Sequence, residues 1–292
     1  MRHSKITPYL FVAPTVLGLL LFRLGPTLAA FFISFTDWNI RTAPRFIGLG
    51  NYQELLNSAS FWLVLRNTLV FALVYVPGVM VIALALSLLV NQKLRGISFF
   101  RGLYFLPYVT SMVAVAMVWN WIFSTRFGIL NSMLRSVFGV TNPPAWLADS
   151  QTALMVLIIV TIWKTCGFQM MIFLAGLQNI PKHLYEAARI DGANNWTILW
   201  RITLPLLTPV IFFVLITSLL EAFATFEVTY AMTGGGPLFA STTLPFFVYI
   251  NAFEFNRMGF ASAAGYILLL VVGAITAFNF AVRRRWVRDE VN

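Results

Sequence analysis

Charge and reactive side chains are what this chain of 292 residues has least of. Asp, Glu, Lys and Arg together make up 10% of it, where ordinary soluble domains carry about 25%. A surface so poor in charge does not suit a water-exposed globule. There is one cysteine, Cys166, so no internal disulfide and no cysteine-rich metal site can form. Within its apolar run it is expected to act as a small buried side chain. The two histidines, His3 and His183, stand in no His-Glu-x-x-His setting and are expected to be solvated. No nucleotide-binding loop is present, because the Gly234-Gly235-Gly236-Pro237 run lacks a Gly-Lys-Ser/Thr ending and a following strand. These absences leave no catalytic constellation and no metal site to assign, and they count against an intramembrane enzyme.

What the chain has in excess is apolar sequence: 59% hydrophobic residues, with a mean hydropathy of +0.81. A hydrocarbon core about 30 Å thick takes roughly 20 apolar residues in helix. Six stretches qualify, near residues 10–35, 69–90, 103–123, 153–177, 206–230 and 261–282. The expectation is an all-α membrane protein of six transmembrane helices in one domain, 1–292. The first run follows Arg2 and Lys5 but is longer than the 7–15 residue core of a signal peptide, so it reads as an uncleaved span.

The net charge of +10 does not point to nucleic acid, because the basic residues segregate. Twelve (Arg2, Lys5, Lys93, Arg95, Arg101, Lys182, Arg189, Arg201, Arg283, Arg284, Arg285 and Arg288) fall in alternate segments, and six (Arg41, Arg45, Arg66, Arg126, Arg135 and Arg257) in the others. The richer side is the cytoplasmic one by the positive-inside rule, which places both termini and the 181–205 segment there. Trp38, Trp62, Tyr108 and Trp146 are expected at headgroup level. Tyr52, Leu55, Leu56 and Ala59 recur at helical spacing, as in a short interfacial helix. Pro77-Gly78, Pro107, Asn120, Gly167 and Gln169 interrupt the spans and should face other helices or a cavity, since freed backbone groups find no partner in lipid.

In the 181–205 segment, Pro181 suits a helix start and Gly192 a helix end, Asn194 or Asn195 can cap the next helix, and Pro205 and Pro209 should bend it. The enclosed helix is too short to be stable alone and should need docking. Leu184, Ala187 and Ala188 share one face, on which two alanines permit close approach by a partner. The text Glu186-Ala187-Ala188-Arg189-Ile190-Asp191-Gly192-Ala193, continuing through Ile202-Thr203-Leu204-Pro205 to Pro209, resembles the EAA signature of permeases from binding-protein-dependent ABC importers. Phe46-Ile47-Gly48-Leu49-Gly50-Asn51-Tyr52, Thr233-Gly234-Gly235-Gly236-Pro237 and Ser241-Thr242-Thr243-Leu244 resemble text of the carbohydrate-uptake branch.

The resemblance implies a type I ABC importer permease fold whose cytoplasmic coupling helix, with Glu186, Ala187, Ala188, Asp191 and Gly192, meets an ATPase. It also implies as partners a second related permease, two ABC ATPase subunits holding ATP and Mg, an extracytoplasmic solute-binding protein and the lipid bilayer. No cofactor is expected on this chain. The location implied is a bacterial or archaeal cytoplasmic membrane.

Glu221 and Glu227 lie in the fifth apolar run, where an ionisable group is a functional candidate by default. On one continuous helix they would sit roughly 18 and 27 Å from Pro209 and on different faces. Ser218, Glu221, Thr225 and Glu227, with Thr217 and Phe223, are candidates for lining a substrate path for sugar hydroxyls and rings. An ion pair of Glu221 with Lys164 or Arg23 is the structural alternative. Two functional alternatives remain at this point: import of glycerol-3-phosphate or a related polyol phosphate, and an ion-coupled secondary transporter in which Glu221 carries a proton.

Overall fold

The computed structural model describes residues 7–92 and 95–286. Arg2, Lys5, Lys93 and Arg288, assigned above to one side of the membrane, lie outside them, as do His3, expected to be solvated, and the side chains of Arg283, Arg284 and Arg285. The described residues are nearly all helical, with one isolated bridge between Thr36 and Phe46. In chain order the helices are α1 (Thr7–Leu19), α2 (Gly25–Ile33), α3 (Gly50–Asn57), α4 (Ala59–Val90), α5 (Ile97–Val109), α6 (Met112–Ile122), α7 (Ile129–Ser136) and α8 (Ala153–Asn179). There follow α9 (Lys182–Ile190), α10 (Asn195–Ile198), α11 (Leu204–Leu206), α12 (Thr208–Phe223), α13 (Glu227–Met232), α14 (Leu244–Tyr249) and α15 (Met258–Trp286). Short π-helical turns join α1 to α2 and α10 to α11.

Four unbroken helical stretches, Phe11–Ile33, Ala59–Val90, Ala153–Asn179 and Met258–Val282, are long and apolar enough to cross a membrane. The other two expected runs are broken. Residues 103–123 belong to α5 and α6, which meet at 96°, and Asn195–Leu206 meets α12 at 69°. The second bend falls between Pro205 and Pro209, where each ring removes a backbone donor. The first follows from capping: Thr110 is extended, its hydroxyl donates to Leu106 O at 3.0 Å, and Lys164 Nζ donates to Tyr108 O at 2.9 Å. Carbonyls at the end of α5 are thus satisfied without continuing the helix.

The chain divides into two compact units. One comprises residues 1–61 and 247–270. Phe11, Leu21, Phe22 and Leu28 of its first helical stretch are exposed, as suits a helix apolar all round. The Phe46–Tyr52 text ties down the end of α2: Asn51 Nδ2 donates to Ser34 O at 2.8 Å and Thr36 O at 2.7 Å, and Tyr52 OH shares a hydrogen bond with Ser34 Oγ at 2.8 Å. A Cβ on Gly259 would lie 1.9 Å from Thr36 O, so only glycine permits this approach.

The other unit comprises residues 62–246 and 271–292. Its centre is α8, the most enclosed of the long helices. Met170, Phe173 and Leu174 pack with Ala83, Val90 and Val214 of α4 and α12. A Cβ on Gly167 would stand 1.8 Å from Tyr104 O, so α5 and α8 touch backbone to backbone there. The Thr233–Leu244 text is an internally bonded reversal in which Gly234 and Gly235 take positive φ. Thr242 Oγ1 donates to Gly235 O at 2.8 Å, Asn67 Nδ2 donates to Phe239 O at 2.8 Å, and Thr68 Oγ1 accepts from Leu244 N at 2.8 Å.

Candidate functional site

The fifth run does not continue as one helix to Tyr230. Helix α12 stops at Phe223, and Glu227 opens the separate helix α13. Thr225 Oγ1 bonds back to Glu221 O at 3.0 Å, while Thr243 Oγ1 donates to Thr225 O at 2.7 Å, so a distant hydroxyl fills an acceptor that the next turn would otherwise have used. The continuous-helix geometry expected for Glu221 and Glu227 is therefore corrected. The break lets both carboxylates line one cavity of about 220 Å³. Tyr108 and Met112, flanking the other break, line the same space, with Thr161, Lys164 and Thr165 of α8, Thr225 and Phe226. Irregular backbone at membrane depth is tolerated where it borders a cavity, and both breaks border this one.

Glu221 Oε2 accepts from Tyr75 OH at 2.7 Å, and the same hydroxyl lies 2.9 Å from Thr165 Oγ1. One phenol thereby joins α4, α8 and α12. Thr165 Oγ1 also donates to Thr161 O at 2.9 Å. Lys164 does not pair with Glu221: its ammonium serves Tyr108 O and lies 5.6 Å from the Tyr108 ring centroid. Among the described residues the single ion pair is Arg257 with Glu54, so neither Lys164 nor Arg23 takes the partnership the structural alternative offered. Lys164 and Glu221 nonetheless line the same cavity. Tyr108 is stacked on Phe168 with centroids 4.5 Å apart.

Of the substrate-path candidates, Glu221, Thr225 and Glu227 come together, and Ser218 does not: it is fully buried, and its Oγ finds no protein partner. Thr217 bonds back to its own helix at Phe213 O, 3.0 Å away, and Phe223 faces a separate apolar groove. Glu227 lies in the first turn of α13, where a carboxylate also offsets the unpaired N–H groups. Sequence reasoning missed Tyr75, Thr161 and Thr165. A hydroxyl in the middle of an apolar run was the available signal for each. Two larger grooves, about 610 and 670 Å³, are lined almost wholly by aliphatic and aromatic side chains and offer little to a polar solute.

The Glu186 segment forms α9, between Pro181 and a Gly192 at φ +79°. Asn194 caps the following helix, its Oδ1 accepting from Thr197 N at 2.8 Å. Contrary to the expectation above, Leu184 does not share an outward face with Ala187. Leu184 and Tyr185 turn inward onto Leu177, Ile180 and Leu207, while Glu186, Ala187, Asp191 and Gly192 are exposed and Ala188 is half-buried. Tyr185 OH and Thr203 Oγ1, 3.3 Å apart, link α9 to the helix after it.

The chain is 34% identical to the lactose transport system permease protein LacF of Rhizobium radiobacter, over 97% of this chain and 96% of LacF. It is equally identical to the sn-glycerol-3-phosphate transport system permease protein UgpA of Agrobacterium fabrum, over 95% of this chain and 94% of UgpA. Its fold matches a chain in a crystal structure of a bacterial alginate ABC transporter with TM-score 0.86 at 24% identity, covering 98% of this chain and 96% of that one. Residues 80–288 match the family described as the inner membrane component of binding-protein-dependent transport systems, and this multi-pass membrane chain belongs to that family.

Proposed function

We propose that the chain is a permease subunit through which an ABC importer passes a neutral sugar or short oligosaccharide delivered by an extracytoplasmic solute-binding protein. The observation that carries the substrate class is the cavity at the two helix breaks. Carboxylates of Glu221 and Glu227 accept hydrogen bonds, the Lys164 ammonium donates, and the hydroxyls of Thr161, Thr165 and Thr225 do both, which suits a ligand whose own hydroxyls donate and accept. Tyr108 and Phe226 supply ring faces beside them. At about 220 Å³ the space falls below the roughly 300–1,000 Å³ of ordinary ligand sites, which favours a path completed by a second permease.

Equal identity to a lactose and a glycerol-3-phosphate permease does not choose between substrates, and the charge of the cavity supports the neutral one. Two carboxylates against one ammonium repel a phosphate, at roughly 4 kcal/mol per unit charge pair 4 Å apart in a partly screened setting. Membership of the importer family leaves the ion-coupled reading, with Glu221 as proton carrier, without support. In the proposed cycle, ATP and Mg act on two partner ATPases, and this chain performs no catalysis. Closure of the ATPases reaches the spans through Glu186, Ala187, Ala188, Asp191 and Gly192. Both termini face the cytoplasm. The test is uptake of a radiolabelled sugar panel by proteoliposomes containing the whole importer. Glu221→Gln should abolish uptake of the transported sugar and leave assembly and basal ATP hydrolysis intact. Undiminished uptake by the variant would remove Glu221 from the path.

A further inference from the structure

Two tryptophans beyond the Glu186 helix are used neither by the cavity nor by the coupling contact. Trp196 and Trp200 are 68% and 55% exposed, one helical turn apart, with ring centroids at 5.7 Å. They lie on Asn195–Leu206, where Ile198, on the side away from Trp196, and Thr203 are buried. That helix is bent 69° from α12, and Leu207 alone separates the two. A bend of this size turns the helix well off the axis of α12.

We infer that Trp196 and Trp200 anchor this helix in the lipid headgroup layer at the Pro209 end of α12, with the exposed Arg201 beside lipid phosphates. Three observations select lipid as the occupant. Apolar side chains are exposed beyond the bend as well, at Phe213 and Leu220 of α12. Indole has an apolar body and one N–H donor, which matches the boundary between acyl chains and headgroups. From Gly192 to Leu220 there is no acidic side chain, and Arg201 is the one charge, so the segment suits an anionic surface. The anchor rests on membership of a membrane-component family alone. Its consequence rests on the function proposed above: the Tyr185–Thr203 contact would tie α9 to a helix held at fixed depth, so that a push on α9 rotates α12 about the bend instead of sliding it.

The test uses the complete importer in vesicles of phosphatidylcholine and phosphatidylglycerol. A nitroxide is placed at Trp200→Cys in a Cys166→Ala background, and the complex lacking the introduced cysteine supplies the background signal. Collision rates with oxygen, which partitions into lipid, are compared with those of a water-soluble nickel chelate. The expected oxygen-to-nickel ratio at position 200 exceeds that of the same label at Glu186→Cys by about tenfold, before and after the ATPase subunits are stripped away. Nickel-dominated collisions would overturn the anchor, and so would protection from both reagents, which would give the face to a protein partner. Trp196→Cys repeats the measurement on the same face if Trp200→Cys does not assemble. The Glu186→Cys label reports the coupling contact separately, since stripping the ATPases should alter its nickel collisions and leave those at position 200 unchanged.

Discussion

A carboxylate among apolar helices needs donors, and Glu221 takes the Tyr75 hydroxyl in preference to a full cation. The arrangement leaves the Lys164 ammonium to the Tyr108 carbonyl and ring, so that both charged groups stay beside the cavity. Tyr75→Phe should leave Glu221 short of its donor and cost about 1–3 kcal/mol. A lower melting temperature of the detergent-purified complex, with reduced uptake, is the expected result. Lys164→Met removes the donor that fills Tyr108 O at the break. It should impair uptake more than Lys164→Arg, and parallel uptake assays of the two variants check this. The sequence made Glu221 conspicuous as an ionisable group in an apolar run. It did not disclose Tyr75, because a tyrosine in such a run reads equally as packing, and only the fold brings residue 75 against residues 165 and 221.

Helix α8 works as the central post through small and polar residues rather than bulk. Gly167 lets α5 touch it, and Gly167→Leu should separate the two helices and empty the membrane of assembled complex, which blotting of membrane fractions would show. At the other end, Asn194→Ala removes a helix cap worth about 0.5–2 kcal/mol. The expected effect is a modest fall in thermal stability with assembly retained, measured by melting in detergent. Elements fixed by neighbouring residues were legible in advance: Pro181, Gly192, Asn194 and the proline pair bound and bend the 181–205 segment as their backbone chemistry requires. Pro107 flagged an interruption near Thr110 but not a 96° break, and the break at Ala224 had no signal, because hydropathy is continuous across it. Both breaks depend on Lys164 and Thr243, donors 56 and 18 residues from the carbonyls they fill. The inward turn of Leu184 was likewise set by Leu177, Ile180 and Leu207, which helical spacing within α9 does not reveal.

At the scale of the molecule, two polar features carry the proposed function. A cavity sits where helices break, and an exposed α9 lies outside it, its Glu186 and Ala187 turned away from the chain's own core. The central claim is that energy released on ATPase partners enters through α9 and moves solute past Glu221. Sugar uptake and ATP hydrolysis measured on one proteoliposome preparation of the complete importer, native and Ala187→Arg, test it most directly. The side chain of Ala187 is exposed, so a larger one there should not disturb the fold of this chain. The account predicts ATP-dependent uptake by the native importer, and its loss in the variant together with loss of the ATPase subunits or of sugar-stimulated hydrolysis. Native-level, ATP-driven uptake by Ala187→Arg would contradict it.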